Sequence, residues 1–145
     1  MIAKNITIAI GNQKGGVGKT TSTACIGAAL VLRGKRVLLV DLDAQQNLTF
    51  TLTQNEDPET SIYDTLVKDQ PLPIIPIREN LDLVPASLDL ARAEIDMATM
   101  MVREGILKSY LDEQKEKYDY ILMDCSPSLG IVTTNALVAA DKLYI

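Results

Sequence analysis

The feature that most constrains this chain is a β-branched run, Ile6-Thr7-Ile8-Ala9-Ile10, leading into a glycine-rich turn and then a helix-forming stretch. Such a run, nearly all apolar, reads as a strand buried on both faces, the habit of parallel sheets covered by helices. Lys19 to Arg33 reads as a helix, with Ala24, Gly27, Ala28 and Val31 on one face. Gly34 stands where a C-terminal capping glycine belongs. Val37 to Val40 is a second buried strand, ending at Asp41. The opening segment is therefore one strand–helix–strand unit.

Between Ala44 and Asn80, Pro58, Pro71, Pro73 and Pro76 interrupt the pattern and leave one short helix, Ile62 to Lys68. Leu81 to Val84 reads as a strand closed by Pro85, and Ser87 as the cap of a helix from Leu88 into the Met97–Met101 region. A further helix is expected from Arg103 to Lys117, with Ile106, Leu107, Tyr110 and Leu111 inward, charges on its solvated face and the methionines as core filler. Tyr120 to Met123 is a strand ending in Asp124, Gly130 to Ala140 a helix, and Lys142 to Ile145 a last strand. Alternating strands and helices predict an α/β three-layer sandwich with a mostly parallel sheet. No internal repeat or interdomain linker interrupts it, so residues 1–145 read as a single domain. A chain of about 150 residues can bury roughly 68–70% of its unfolded surface, enough for one core.

The turn itself, Lys14-Gly15-Gly16-Val17-Gly18-Lys19-Thr20-Thr21, carries the chemistry. Glycines let the backbone curl until successive N–H groups point inward, and the following helix adds the positive end of its dipole. The result is a cradle for nucleotide phosphates, with Lys19 reaching the β- and γ-phosphates and the Thr20 hydroxyl on Mg²⁺. The usual pattern has a glycine where this chain has Gln13, and an extra lysine, Lys14, stands at the mouth of the loop. Two lysines so close repel unless an anion lies between them. Asp41, Asp43 and Asp124 follow predicted strands. In a parallel sheet all three reach the carboxyl edge, where α/β folds bind ligands. A magnesium nucleotide needs one acid for the metal's shell and another group to place the attacking water. For Asp41 the other reading is a cap or buried hydrogen-bond acceptor. A dinucleotide-binding G-x-G-x-x-G fails at Thr21, and would leave Lys19 and Thr20 without a role.

Composition removes other chemistries. There is no His, so no Ser-His-Asp triad, imidazole base or His-ligated metal. The two cysteines, Cys25 and Cys125, lack metal-ligand spacing and read as reduced, buried thiols. With 14 Lys+Arg against 19 Asp+Glu the net charge is −5, unfavourable for broad contact with a nucleic-acid backbone. The small basic cluster Arg33, Lys35 and Arg36 reads as charge compensation at a helix C-terminus. The apolar run Ala24–Leu32 falls well short of the ~18 residues that a membrane-spanning helix needs. The N-terminus lacks a signal-peptide layout. A soluble, cytoplasmic protein is expected.

At these residues the sequence resembles the ParA/Soj partition ATPases of the deviant-Walker-A group, which includes MinD and the nitrogenase iron protein. The likeness runs through Asn12–Thr21, Leu38–Asn47, Tyr118–Gly130 and Asn135–Asp141. It implies a P-loop ATPase acting in plasmid or chromosome partition, which binds ATP and Mg²⁺ and dimerises around ATP. Carried over by position, it implies that Lys14 reaches the partner's phosphates, with Gly15, Gly16, Val17, Gly18, Lys19, Thr20 and Thr21 lining the nucleotide. Gly16 lies closest to the dimer interface. Thr20 is then the metal ligand, Asp124 holds its water shell, and Asp43 positions the attacking water and is a further candidate ligand. The family also implies non-specific DNA, a ParB-like stimulating partner and nucleoid or plasmid association. Its chains are longer, so residues 1–145 match the N-terminal part of the family's domain, with adenine-contacting and DNA-binding residues beyond Ile145. Ala44 and Gln46 depart from the family's usual Pro and Gly. Two alternatives share the loop: a MinD-like positioning ATPase and a small ATP-dependent metabolic enzyme.

Overall fold

In the computed structural model, residues 5–11 and 18–145 are described. β1 (Ile6–Ile10), β2 (Val37–Leu42), β3 (Ile75–Arg78), β4 (Leu81–Val84), β5 (Tyr120–Cys125) and β6 (Lys142–Tyr144) form one sheet, in the order β3-β4-β2-β5-β1-β6. Every pairing is parallel except β3–β4. The helices are α1 (Lys19–Leu32), α2 (Asn47–Thr53), α3 (Ile62–Lys68), α4 (Ala93–Asp96), α5 (Ile106–Asp112) and α6 (Ile131–Ala139). The expected α/β three-layer sandwich is the fold.

Strand alternation splits the core into two layers. Ile8, Ile10, Val37, Leu39 and Leu122 face α1 and α2, meeting Ala24, Ile26, Leu30, Leu48 and Leu52. Ala9, Leu38, Val40, Ile121 and Met123 face the other way, onto Leu66, Met97, Leu107 and Ala136 of the remaining helices. At Gly27 α1 packs tightly on the sheet: a Cβ there would meet Leu39 Cδ2 at 3.0 Å. Gly34 ends the helix with φ 79°, as its sequence position suggested.

The chain runs from β1 through α1 to β2, and from β5 through α6 to β6, in opposite directions across the sheet. Right-handed crossovers that move in opposite directions place their helices on opposite faces. A crevice therefore opens at the carboxyl ends of β1 and β5, where α/β sheets hold their ligands.

Several expectations need correction. Two elements besides α3, namely α2 and β3, lie in the proline-rich stretch that promised only α3. β3 contains Pro76, which a paired central strand would not tolerate but an edge strand does. The helix expected from Ser87 is a 3₁₀ turn, Leu88–Arg92, followed by the short α4. The Ser87 hydroxyl meets that of Ser61 at 2.9 Å instead of capping. Leu90, Ala93 and Met97 still bury, so the periodicity is met without one continuous helix, while Met101 is exposed rather than core. The helix expected to Lys117 ends at Asp112, because the polar run after it offers nothing apolar to bury. Cys25 lies on the outer side of α1 and is exposed; only Cys125 is buried, its thiol pushed up to about 12 mainly by that burial. Arg36 does not serve the end of α1 but pairs with Asp119 at 3.1 Å, tying β2's entry to that of β5.

One buried polar side chain ties α6 to its neighbours. Asn135 Oδ1 accepts from Leu107 N at 3.0 Å, and its Nδ2 donates to the carbonyls of Arg103 at 2.8 Å and Ile131 at 2.9 Å. Asn135→Ala strands an amide and a carbonyl away from water. In urea unfolding of the full-length protein it is expected to cost about 2–4 kcal/mol with an unchanged m-value.

Candidate functional site

Gly18 opens α1 with φ 81°, a conformation that side chains with a Cβ avoid, and its carbonyl accepts from Ser22 N at 2.8 Å. The first helical turn then points Lys19 and Thr20 at the end of β5. Lys19 Nζ lies 2.6 Å from Asp124 Oδ1, and Thr20 Oγ1 donates to Asp124 Oδ2 at 2.8 Å. Asp124 is fully buried, and the Lys19 side chain is 10% exposed. One carboxylate, far along the chain, thus engages two candidate side chains at the start of α1. Thr21 is exposed on the same helical turn. Lys14, Gly15, Gly16 and Val17 lie outside the described residues.

The register of β2 on β5 sets Asp41 beside Asp124. Asp41 is buried and acts as an acceptor within the fold. Its Oδ1 accepts from Asp43 N at 3.1 Å; its Oδ2 accepts from Thr49 N at 2.9 Å and Thr49 Oγ1 at 2.7 Å. Burial pushes its carboxyl up to about 6, with the neighbouring Asp124 charge adding to the shift against these hydrogen bonds. Of the two readings of Asp41, the structure supports the buried acceptor.

Asp43 sits just beyond the end of β2, largely buried, with Oδ1 accepting from Gln45 N at 3.0 Å. Gln46, at the departure from the resembled family's glycine, has φ 61°. For a residue with a Cβ that region costs roughly 1–2 kcal/mol. Its side chain turns inward, and Nε2 donates to the carbonyls of Glu56 at 2.8 Å and Ala86 at 3.2 Å. Ala44 lines a cleft of about 310 Å³ between Leu42 and the Ser126–Gly130 loop. Across it Glu94 Oε2 accepts from Ile131 N at 2.5 Å, capping α6 from another element. Thr49 and Glu94 carried no signal in the sequence, and Gln46 only its departure from glycine, since each acts on backbone groups brought to it by the fold.

The structure thus brings Lys19, Thr20 and Asp124 into direct contact and places Asp43 at the same edge of the sheet. Among the described residues no group of three or more His, Cys, Asp or Glu could hold a metal unaided. Thr20 and Asp124 offer hard oxygen donors that suit Mg²⁺, an ion that commonly takes one or two protein oxygens and fills its shell with water and phosphate. No helix among the described residues is long and apolar enough to cross a membrane.

These features define a nucleotide-binding α/β domain. Residues 5–145 match the model of the AAA domain family, and the chain belongs to that family. Its relatives there are of the ParA/Soj type, as its motifs suggested. It is 51% identical over 142 residues to the sporulation initiation inhibitor protein Soj of Bacillus subtilis (strain 168), covering 95% of this chain and 56% of that protein. It is 43% identical over 142 residues to the chromosome partitioning protein ParA of Myxococcus xanthus (strain DK1622), covering 95% and 50%. Among solved structures, cobyrinic acid a,c-diamide synthase from Mycobacterium smegmatis with bound ATP analog and magnesium superposes with a TM-score of 0.92 at 42% identity, over 96% of this chain and 58% of that one. A plasmid partition protein from Borrelia burgdorferi gives 0.85 at 34%, over 97% and 63%. The chain spans about half the length of the curated relatives it matches.

The raised Asp41 carboxyl has a defined pH signature. Between about pH 4 and 6 the folded protein keeps a proton that the unfolded chain has released. The stability from this protonation is therefore full below the ordinary value of 3.8 and lost as pH rises through about 6. In nucleotide-free full-length protein, wild-type stability relative to Asp41→Asn is expected to fall from pH 4 to 6 and level off above 7, read by urea unfolding. A difference that grows with pH contradicts a burial-dominated shift.

Proposed function

We propose that the full-length protein is a ParA-type dimerisation switch that binds ATP with Mg²⁺ and hydrolyses it slowly in plasmid or chromosome partition. The contact of Lys19 and Thr20 with the two oxygens of Asp124, at the start of the helix that follows the glycine turn, carries this reading. A lysine held on a buried carboxylate at this edge of the sheet is a cation already positioned where an anion could be met. The bound ATP analog and magnesium of the M. smegmatis protein and the partition names of the relatives lend further support.

On this reading residues 1–145 are the N-terminal part of one P-loop ATPase domain. Lys19 binds the β- and γ-phosphates, and Gly15, Gly16, Val17, Gly18 and Thr21 line them. Thr20 holds Mg²⁺, with Asp124 on its water shell, and the metal supplies charge neutralisation at the transferring phosphoryl group. Asp43 orients the attacking water and is a second candidate for the metal. Lys14, supplied across the dimer, stabilises charge that grows in a loose transition state. Hydrolysis then depends on assembly and resets it. Non-specific DNA and a ParB-like stimulator are the expected partners, in the cytoplasm at a nucleoid or plasmid.

The similarity to the cobyrinic acid a,c-diamide synthase of M. smegmatis supports a second reading, an ATP-dependent metabolic enzyme built on the same loop. Turnover against protein concentration separates the two. In the full-length protein, Lys19→Ala is expected to weaken Mg-ATP binding by about tenfold or more, a loss of 1.4 kcal/mol. Lys14→Gln should bind normally but lose concentration-dependent hydrolysis. Asp43→Ala should bind ATP and dimerise with turnover reduced about 100-fold. Turnover per monomer that stays flat with concentration and needs a small-molecule acceptor would favour the metabolic reading.

A further inference from the structure

We infer that Gln46 is a positioning residue, a side-chain strap that holds the Asp43 turn against the end of β4; the inference rests on the hydrolytic reading above. The turn that carries Asp43 leaves the sheet and must return to start α2, and its atoms are pinned from two directions. From one side, Asp41 grips Asp43 N and Thr49, and Thr49 Oγ1 accepts from Ala86 N at 3.0 Å. From the other, Gln46 Nε2 donates to Ala86 O at 3.2 Å and to Glu56 O at 2.8 Å. The two arms therefore converge on Ala86, just past the strand that ends at Val84.

Gln46 is 6% exposed and holds a left-handed backbone conformation that glycine would adopt without strain. Its backbone also closes the turn: Gln46 N donates to Asp43 O at 2.9 Å and Gln46 O accepts from Phe50 N at 2.8 Å. A residue strained in its backbone, with an amide spanning two distant carbonyls, is fitted for holding rather than for bending. Asp43 stands three residues upstream within that closed turn, so any slack at Gln46 reaches the carboxylate that orients water.

Two variants separate the amide from the backbone. Gln46→Gly removes the strap and suits the left-handed conformation. Gln46→Glu keeps the shape and the strain but has no N–H to donate. In the full-length protein both are expected to lower kcat for ATP at least about threefold while KM for ATP stays within about twofold, because nucleotide binding belongs to α1 and β5. Both should also speed amide exchange across residues 44–49 in nucleotide-free protein, a change confined to the turn. A smaller change in kcat, unaltered exchange, or a fall in Gln46→Gly without one in Gln46→Glu overturns the strap. A wild-type protein that binds Mg-ATP but never turns it over overturns the hydrolytic reading together with this role.

Discussion

The contact between Lys19 and Asp124 is the constraint on which the site depends. An ammonium and a carboxylate 2.6 Å apart, with Asp124 withdrawn from water, lose hydration that their attraction must offset. Such a pair is weak evidence of stability and stronger evidence of a use. It persists because Thr20 occupies the second oxygen of Asp124 and parallel pairing of β1 with β5 brings Ile10 beside Asp124. The strand that delivers the acid is the neighbour of the strand that delivers the glycine turn. Without that adjacency the lysine would face solvent and the acid would need another partner.

Around this pair the sheet concentrates negative charge where an ordinary core would avoid it. Asp41 and Asp124 are register neighbours, and Asp43 follows just past the strand end. The cost appears in the raised Asp41 carboxyl and is moderated by three hydrogen bonds from Thr49 and Asp43. Asp41 thereby serves as scaffold, while Asp124 meets Lys19 and Thr20 and Asp43 lies just past the end of β2. On the proposed reading, a divalent cation would compensate the excess that the described residues leave there.

Legibility in the sequence followed local physics. β1, β2, β4 and β5 are apolar runs whose burial needed no partner to be recognised, and α3 carries a capping box from Ser61 and Asp64 that fits its predicted start. α2 was hidden because Leu48, Thr49 and Phe50 mix β-branched, polar and aromatic character, so its helicity comes from Asp41 and Gln46 anchoring its first turn. β3 was hidden because Pro76 argues against a strand unless the strand lies on an edge. Cys25 was misplaced because an apolar stretch of α1 covers more than the sheet-facing side can take.

The sequence by itself determined the class of site: a glycine-rich stretch between a buried strand and a helix, with lysine and threonine at the helix start, is a local pattern that points to phosphate binding. Which acid meets that turn was decided only by tertiary structure. Asp41, Asp43 and Asp124 look alike along the chain, each at or just past a strand end, and periodicity carries no information on strand order. Register and neighbour choice come from packing two helical layers on a twisted sheet. That packing put Asp124 against Lys19, gave Asp41 to Thr49, and left Asp43 on a turn tied down by Gln46.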